Sequence, residues 1–421
     1  MTTVSEEITR SEAPKKGRVA VHIICWLLGN GCLFTWNSML TVMDYYILIF
    51  PYHPARVLTL VYQPFALITI CLFTYYEAKV NTRVRILVGF TLFFVSALTI
   101  PFIDIGTSGD GKLLPFIGLS LLSGITGIAD ALVQGGMVGD LSFMQTDFMQ
   151  SYAAGGAASG VITSGLRMIT KASFKESRNG LRKGAITFFF LSALFMLLCL
   201  GLYAFVFPRL ALVKYYRAKA ASEGSKTVNA DLVAGGIAVD ANNTTQDREV
   251  GKAQTRLTNK ELLIQTKDYA IDCVLIYILT LSIFPGFLAE DTGKHQLASW
   301  YVVTLIAMYN CGDLVGRYIP LIDKLLIKSR TGLMLTCISR YVLIPAFYFT
   351  AKYGDQGWML LLCIVLGISN GYLTVCVLMN APKGFKGPEQ NAIGNMMVLF
   401  ILGGIFVGVL TDWLWLIGKG W

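Results

Sequence analysis

The residues best suited to chemistry lie in one apolar stretch, from about residue 298 to 322, which contains Asn310, Asp313 and Arg317. Their spacing of three and then four residues places them on one face of a helix. In a helix that spans a membrane, each charge near the centre costs roughly 2.5–3.5 kcal/mol, so such side chains persist where they face a cavity or a partner. This face therefore predicts either the polar wall of a ligand site or an ion pair that joins helices.

Two further apolar stretches carry a pattern that suits a flat heterocyclic ligand. Leu33, Trp36 and Leu40 share one side of a helix, and Gln134 lies in a different apolar segment. A heterocycle needs a surface to stack on, and the Gln amide offers both donors and an acceptor to its edge. The alternative interpretation is a lipid-facing Trp together with a Gln that hydrogen-bonds to a neighbouring helix.

Several other polar residues lie within apolar segments, where they are predicted to act in gating or in proton coupling. Arg167 is expected to reach a carboxylate such as Asp130 or Asp140, but the sequence does not decide between them. Small residues at GxxxG spacing, among them Gly156 and Gly160, predict faces for close helix packing. The gating or coupling candidates are Asp44, Asp130, Asp140, Arg167, Arg340 and Asn370.

Catalytic and metal-binding patterns do not stand out in the sequence. The three His residues lie far apart, and there is no P-loop, HExxH or GxSxG motif. The nine Cys residues fall in apolar segments without CxxC spacing, so neither a disulfide framework nor a zinc site is expected. We therefore predict no catalytic residue, no metal and no cofactor, and the chain is not expected to be an enzyme.

The composition is that of a membrane protein. Of the 421 residues 54% are hydrophobic and only 14% are charged, and the mean hydropathy is +0.59. Soluble domains carry about 25% charged residues, so we predict an all-α polytopic membrane protein embedded in a lipid bilayer. The net charge of +9 comes mostly from predicted loops, which does not favour nucleic-acid binding. No cleavable signal peptide is expected.

The apolar runs predict eleven membrane spans and four regions. The spans are 20–45, 56–77, 84–105, 113–139, 151–172, 184–210, 269–289, 298–322, 331–351, 357–380 and 390–417. The regions are an N-terminal tail (1–19), a six-helix bundle (20–210), a disordered hydrophilic linker (211–268) and a five-helix bundle (269–421). Most Lys and Arg residues would lie on the cytoplasmic side if the N-terminus is cytoplasmic, although the basic cluster between Lys171 and Lys183 opposes this rule.

Taken together, the motifs resemble those of the equilibrative nucleoside transporters, most closely the plant-type members, over nearly the whole chain. In that family such sequences form a major-facilitator-like arrangement of six and five helices around a central cavity. Thr35 and Gly156 stand where many members have Pro and Gln, so the resemblance does not extend to selectivity or inhibitor sensitivity. The supporting segments are Leu33-Phe34-Thr35-Trp36-Asn37, Val133-Gln134-Gly135-Gly136, Asn310 to Arg317, Arg340 with Pro345, and Ser369 to Leu373 with Pro382-Lys383.

The resemblance implies roles for particular residues. The nucleobase would be framed by Leu33, Trp36, Leu40 and Gln134, and Ile405 would contribute to the pocket wall. Asp313 and Arg317 would contact the ribose or hold the pocket, with Asn310 on the same face.

The leading hypothesis is facilitative transport of purine and pyrimidine nucleosides, such as adenosine and uridine, by alternating access. The alternative is proton-coupled symport, with protons as a second partner. An intramembrane enzyme or a receptor represents a different class of function. The plasma membrane is the expected location, and the vacuolar or another internal membrane is the alternative.

Overall fold

The computed structural model is helical and describes residues 17–75, 81–142, 144, 146–174, 178–219, 259–292, 296–354, 356–385 and 388–417. Most of the predicted N-terminal tail lies outside these residues. The helices are α1 (Arg18–Thr41), α2 (Met43–Ile49), α3 (Pro54–Tyr75), α4 (Thr82–Gly106), α5 (Leu113–Ser142), α6 (Thr146–Ala172), α7 (Arg178–Gly201), α8 (211–219), α9 (Asn259–Leu281), α10 (Gly286–Glu290), α11 (Trp300–Tyr318), α12 (Arg330–Ser339), α13 (Leu343–Tyr353), α14 (Gln356–Asn380) and α15 (Pro388–Asp412).

Nine helical stretches within the described residues are long and apolar enough to cross a membrane. The predicted spans 151–172 and 298–322 correspond to α6 and α11, which are not among the nine. These two helices have 27 and 19 residues, and a bilayer core of about 30 Å needs about 20 residues. They are less apolar because they carry the Gly, Ser, Asn, Asp and Arg residues on which the sequence analysis concentrates.

The described helices form two groups, α1–α8 and α9–α15, and most close packing occurs within each group. We call the end of the bundle where α1 begins the lower end, and the end where α1 finishes the upper end. Between the groups, α6 packs against α11, α3 packs against α15 and α10, and α2 packs against α10 and α11. The short helices α2 and α10 both lie at the upper end, so they close it.

The buried apolar side chains show that the groups meet at one end. A single core at the upper end combines side chains of both groups, such as Trp36 and Phe50 from the first and Phe287 and Tyr309 from the second. At the lower end each group has a core of its own, one extending from Val21 to Tyr216 and one from Leu262 to Met397. The groups are thus joined above and separately packed below.

Glycine allows the polar face of α11 to approach α14. A Cβ atom at Gly312 would lie 2.6 Å from the carbonyl oxygen of Ile364, and one at Gly371 would overlap the carbonyl oxygen of Asp313. These glycines belong to GxxxG pairs, Gly312 with Gly316 and Gly367 with Gly371, one pair on each helix. The close contact brings the side chains of α11 and α14 within hydrogen-bonding distance of each other.

The two ends of the predicted disordered linker are helical, so the prediction is wrong for these residues. Residues 211–219 form α8, and α9 begins at Asn259 rather than near residue 269. Apolar side chains explain both helices, because Leu212, Val213 and Tyr216 are buried in the lower core of the first group and Leu262 in that of the second. The remainder of the linker, residues 220–258, lies outside the described part of the chain.

Candidate functional site

A continuous chain of polar contacts runs from α11 through α14 to α9. Arg317 donates through Nε to Asp313 Oδ2 at 2.8 Å, and Asn370 donates to Asp313 Oδ1 at 2.7 Å. Thr280 lies 2.8 Å from Asn370 Oδ1, and Arg340 donates to the Thr280 hydroxyl at 3.0 Å. The sequence-predicted residues Asp313, Arg317, Asn370 and Arg340 therefore belong to one network, which we call the polar wall.

Arg340 anchors one end of the polar wall. It lies in a short 3-10 turn, Arg340–Val342, that separates α12 from α13, and Pro345 lies in the first turn of α13, where a proline distorts the helix before it. Besides Thr280, its guanidinium donates to the Ser369 hydroxyl at 2.9 Å and to the carbonyl oxygens of Ile276 and Leu366. Because these donors are hydrogen-bonded to protein atoms on α9 and α14, Arg340 holds three helices together.

Asn310 connects the two helix groups. Its amide nitrogen donates to the carbonyl oxygen of Gly160 at 3.1 Å and to the Ser164 hydroxyl at 3.0 Å, both on α6. A Cβ atom at Gly160 would lie 2.7 Å from Asn310 Oδ1, so the contact depends on glycine. Gly160 thus serves contact between the groups, whereas Gly155 makes the close contact of α6 with α1.

The predicted stacking surface of Leu33, Trp36 and Leu40, which we call the aromatic wall, lies in the first helix group. Trp36 is buried and stacks on Tyr62 of α3, with ring centroids 4.0 Å apart and an interplanar angle of 21°. Leu40 belongs to the upper core, while Leu33 is half-buried and approaches Gly156. The Trp36–Tyr62 stack was not foreseen, because nothing in the spacing of residues 26 positions apart signals it.

Gln134 and Ile405 are placed without a polar partner. Gln134 is half-buried on α5, and its amide makes no hydrogen bond to the described part of the chain. Ile405 is half-buried on α15. Their suggested contacts with a nucleobase remain predictions.

The carboxylate partner of Arg167 is neither Asp130 nor Asp140, so both suggested pairings are wrong. Arg167 binds Asp44, with Nη2 at 3.0 and 2.9 Å from the two carboxylate oxygens, and Lys171 joins at 2.8 Å. Arg167 lies towards the upper end of α6, whereas Asp140 lies at the lower end of α5 and contacts Arg217 of α8. Asp44 and Arg167 thus form a buried ion pair between α2 and α6.

Asp130 has different surroundings from the other predicted coupling residues. Tyr62 donates to its Oδ2 at 2.7 Å and the Cys32 thiol donates to its Oδ1 at 3.2 Å. Both partners are neutral, and the site lies behind the Trp36–Tyr62 stack.

A cluster at the upper end was missed by the sequence analysis. Arg56, at the start of α3, donates to Glu290 at 2.9 Å, contacts Asp291, and lies 3.2 Å from Asp412 through Nε. We call these four residues the upper latch, because one buried arginine of the first group meets three acids of the second. Charged residues at the ends of the predicted spans could have indicated a cluster of this kind. The pairing itself was not predictable, because Arg56 and its partners are 234 to 356 positions apart in the sequence.

The polar wall offers charged side chains that can bind a ligand. In the described residues there is no group of three or more His, Cys, Asp and Glu residues that could hold a metal ion. The polar wall presents a carboxylate and a guanidinium in a partly buried pair, with side chains 12% and 30% exposed. Such a pair can donate to and accept from hydroxyl groups of a ligand.

Comparisons with known proteins converge on one type of protein. Residues 123–417 match the family described as "Nucleoside transporter". Equilibrative nucleotide transporter 3 of Arabidopsis thaliana is 57% identical over 412 residues, which cover 97% of this chain and 98% of that protein.

Solved structures of other transporters share the fold. The nucleoside transporter NupG is 14% identical with a TM-score of 0.52, and the match covers 93% of this chain and 89% of NupG. A D-xylose-proton symporter is 14% identical with a TM-score of 0.61, covering 95% and 90% of the two chains. At this identity the likeness concerns the fold, which is major-facilitator-like.

Proposed function

The chain belongs to the nucleoside transporter family, and on that premise we propose that it carries purine and pyrimidine nucleosides across a membrane by alternating access. Its family consists of transporters, not enzymes. The observation that carries the mechanism is the distribution of the cores, which are joined at the upper end and separate at the lower end. In alternating access, two helix groups rock about a central site.

The membrane arrangement that we propose has eleven spans in groups of six and five. The nine apolar stretches are completed by α6 and α11, whose polar faces lie against each other and against the site rather than against lipid. We place the lower end, with the N-terminus, in the cytoplasm, because this assignment puts most Lys and Arg residues inside. The described conformation is then open to the cytoplasm.

The proposed membrane is the plasma membrane, and an internal membrane such as that of the vacuole is the alternative. A fluorescent fusion of the full chain, imaged in its own cells with markers for both membranes, distinguishes them. A signal confined to an internal membrane contradicts this part of the proposal.

The proposed nucleoside site lies between the aromatic wall and the polar wall. The base is framed by Leu33, Trp36, Leu40 and Gln134, with Ile405 opposite. One face of Trp36 is covered by Tyr62, so a base would stack on the other face. The amide of Gln134 makes no hydrogen bond within the described part of the chain, which supports a contact with the base edge.

The ribose hydroxyls are assigned to the polar wall. Asp313 accepts from a hydroxyl and Arg317 donates to one, while Asn310 stabilises the adjoining contact of α11 with α6. This arrangement favours a neutral substrate over a phosphorylated one. Arg317 is already paired with Asp313, and the Arg340 donors are used by protein acceptors, so a phosphate would have to displace existing bonds.

Uptake by purified protein in proteoliposomes tests the proposal. Asp313→Asn should reduce uptake of labelled uridine about tenfold or more, because it removes a charge-assisted bond that contributes about 1.5–3 kcal/mol. Arg330→Gln is the matched control, since Arg330 and Asp268 form an exposed pair at the lower end of the same group. Equal uptake by the Asp313→Asn variant and the parent protein would refute the assignment of the polar wall.

Binding of uridine, measured separately from flux, distinguishes two roles of the polar wall. A loss of affinity in Asp313→Asn means that the carboxylate contacts the ribose. Unchanged affinity with lost flux means that the pair holds the helices during the movement.

One observation favours a second version, in which protons accompany the nucleoside. Asp130 is buried behind the aromatic wall and has neutral partners. Movement down a nucleoside gradient needs no such group, whereas symport with protons does.

A further inference from the structure

The buried acids of the chain divide into two kinds. Among the described residues six aspartates are buried, and four of them contact an arginine: Asp44, Asp291, Asp313 and Asp412. Asp130 and Asp272 have no Arg, Lys or His within 4.0 Å among the described residues. A buried carboxylate without a cation is costly in its charged form, and binding a proton removes that cost.

The groups that face Asp130 come from four helices. Cys32 of α1 and Tyr62 of α3 donate to its two oxygens. Tyr152 of α6 lies beside Cys32. Arg85 of α4 donates through its guanidinium to the carbonyl oxygen of Ala131, the residue after Asp130, at 3.0 Å. The immediate partners of Asp130 are therefore neutral.

The surroundings of Asp130 connect it to the aromatic wall. Tyr62 uses its hydroxyl to bind Asp130 and its ring to stack on Trp36. Protonation of the carboxylate alters its hydrogen bond with Tyr62. A base stacked on Trp36 would alter the packing of Trp36 against the same tyrosine. A single residue thus lies between a titratable group and the proposed base site.

We propose that Asp130 is the proton-binding site of a nucleoside–proton symport, with one proton moved for each nucleoside. The proton enters from water on one side of the membrane, binds a carboxylate oxygen of Asp130, and leaves to water on the other side, with no other bond made or broken. This inference rests on the proposed function, because it assigns a second, coupled ligand to the same transport cycle. With this site, transport is proton-coupled symport rather than facilitative transport.

Thermodynamic reciprocity makes the coupling measurable. If the protonated carboxylate increases affinity for nucleoside, bound nucleoside must increase affinity for the proton by the same factor. Among the described residues, Asp272 contacts neither Tyr62 nor Trp36. Although it is fully buried and its oxygens make no hydrogen bond in the described structure, it lies on α9 in the lower core of the second group. It is therefore the matched control.

The experiment uses the full chain in proteoliposomes, with labelled uridine and with potassium and valinomycin to hold the membrane potential at zero. First, exchange of uridine at equal pH on both sides tests transport alone. Absence of exchange with uridine and adenosine contradicts the proposed function. Exchange without any response to a pH gradient leaves the proposed function standing and overturns the proton site.

With the interior one pH unit more alkaline than the exterior, the parent protein should accumulate uridine about tenfold above equilibrium, because one pH unit is a tenfold proton gradient. Asp130→Asn should reach equilibrium only, and its exchange rate, whatever its size, should no longer depend on pH. Asp272→Asn should accumulate uridine as the parent does. Accumulation by Asp130→Asn, or its loss in Asp272→Asn, overturns the assignment.

A second variant keeps the test decisive if Asp130→Asn does not fold. Tyr62→Phe removes one donor to the carboxylate but retains the ring that stacks on Trp36. Because hydrogen bonds to a charged group favour its charged form, their loss should move the pH profile of uridine exchange upwards by about one pH unit. An unchanged profile in Tyr62→Phe overturns the proposal.

Discussion

The upper latch should control which end of the transporter is open. Arg56 is completely buried and contacts Glu290, Asp291 and Asp412, and the ring of His53 also contacts Glu290. Arg56→Gln removes the arginine that these three buried acids share while the upper end is closed. When the upper end opens, water can solvate the same acids, so the substitution should destabilise the closed state selectively.

The expected size of the effect follows from the burial of the latch. Removal of one partner from a buried ion pair costs about 3–5 kcal/mol. At about 1.4 kcal/mol for each factor of ten, the ratio of closed to open molecules falls by a factor of roughly 140 to 3,700. A closed population of 99 in 100 would become the minority.

Distances between spin labels measure this shift directly. Tyr52 in the first group and Leu297 in the second are exposed near the upper end, 36% and 40% respectively, so cysteines there can carry nitroxides in a background without native cysteines. Electron–electron double resonance should show a longer distance in Arg56→Gln. The matched control is Arg182→Gln, which breaks an upper-end pair with Asp104 inside the first group.

The variants Asp412→Asn and Arg182→Gln are the controls for the upper latch. Asp412→Asn should leave the short distance in place, since Arg56 keeps Glu290 and Asp291 as partners. An unchanged distance in Arg56→Gln would refute the reasoning. The same lengthening in Arg182→Gln would also refute it, because that pair does not join the groups.

Two further substitutions test the packing around the site. Gly371→Ala should lower the melting temperature and abolish uridine uptake, because its Cβ would overlap the Asp313 carbonyl oxygen. Such overpacking costs about 1–3 kcal/mol. Gly403→Ala is the control and should change neither quantity, since there is open space around Gly403. Asp44→Asn should destabilise the protein by about 3–5 kcal/mol in thermal unfolding, since it leaves Arg167 and Lys171 buried without their acid. Native stability of Gly371→Ala or of Asp44→Asn would contradict these expectations.

Local patterns in the sequence predicted the helices and one ion pair. Asp313 and Arg317 are four residues apart on one helix, and the structure pairs them, because neighbours on a helix face meet without help from the fold. The apolar runs predicted helices for the same reason. The two polar helices α6 and α11 were recognised by the same approach although their hydropathy is modest.

Contacts between distant segments could not be predicted in this way. The partner of Arg167 depends on which ends of α2, α5 and α6 lie together, and the spacing of Asp44, Asp130 and Asp140 does not contain that information. The upper latch depends on the meeting of α3, α10 and α15. Helix ends in the linker were missed because Leu212 and Leu262 belong to apolar runs of only four and three residues, 210–213 and 262–264, with polar residues beyond them. Only the assembled cores explain their burial.

The central claim is that the polar wall and the aromatic wall together bind a neutral nucleoside for transport. Its most direct test is uptake of labelled uridine by the purified chain in proteoliposomes, with competing unlabelled compounds outside. We predict saturable uptake that adenosine inhibits and uridine monophosphate does not, with uptake abolished in Arg317→Ala and retained in Arg330→Gln. Normal uptake in Arg317→Ala, or inhibition by the monophosphate as strong as that by adenosine, would contradict the account.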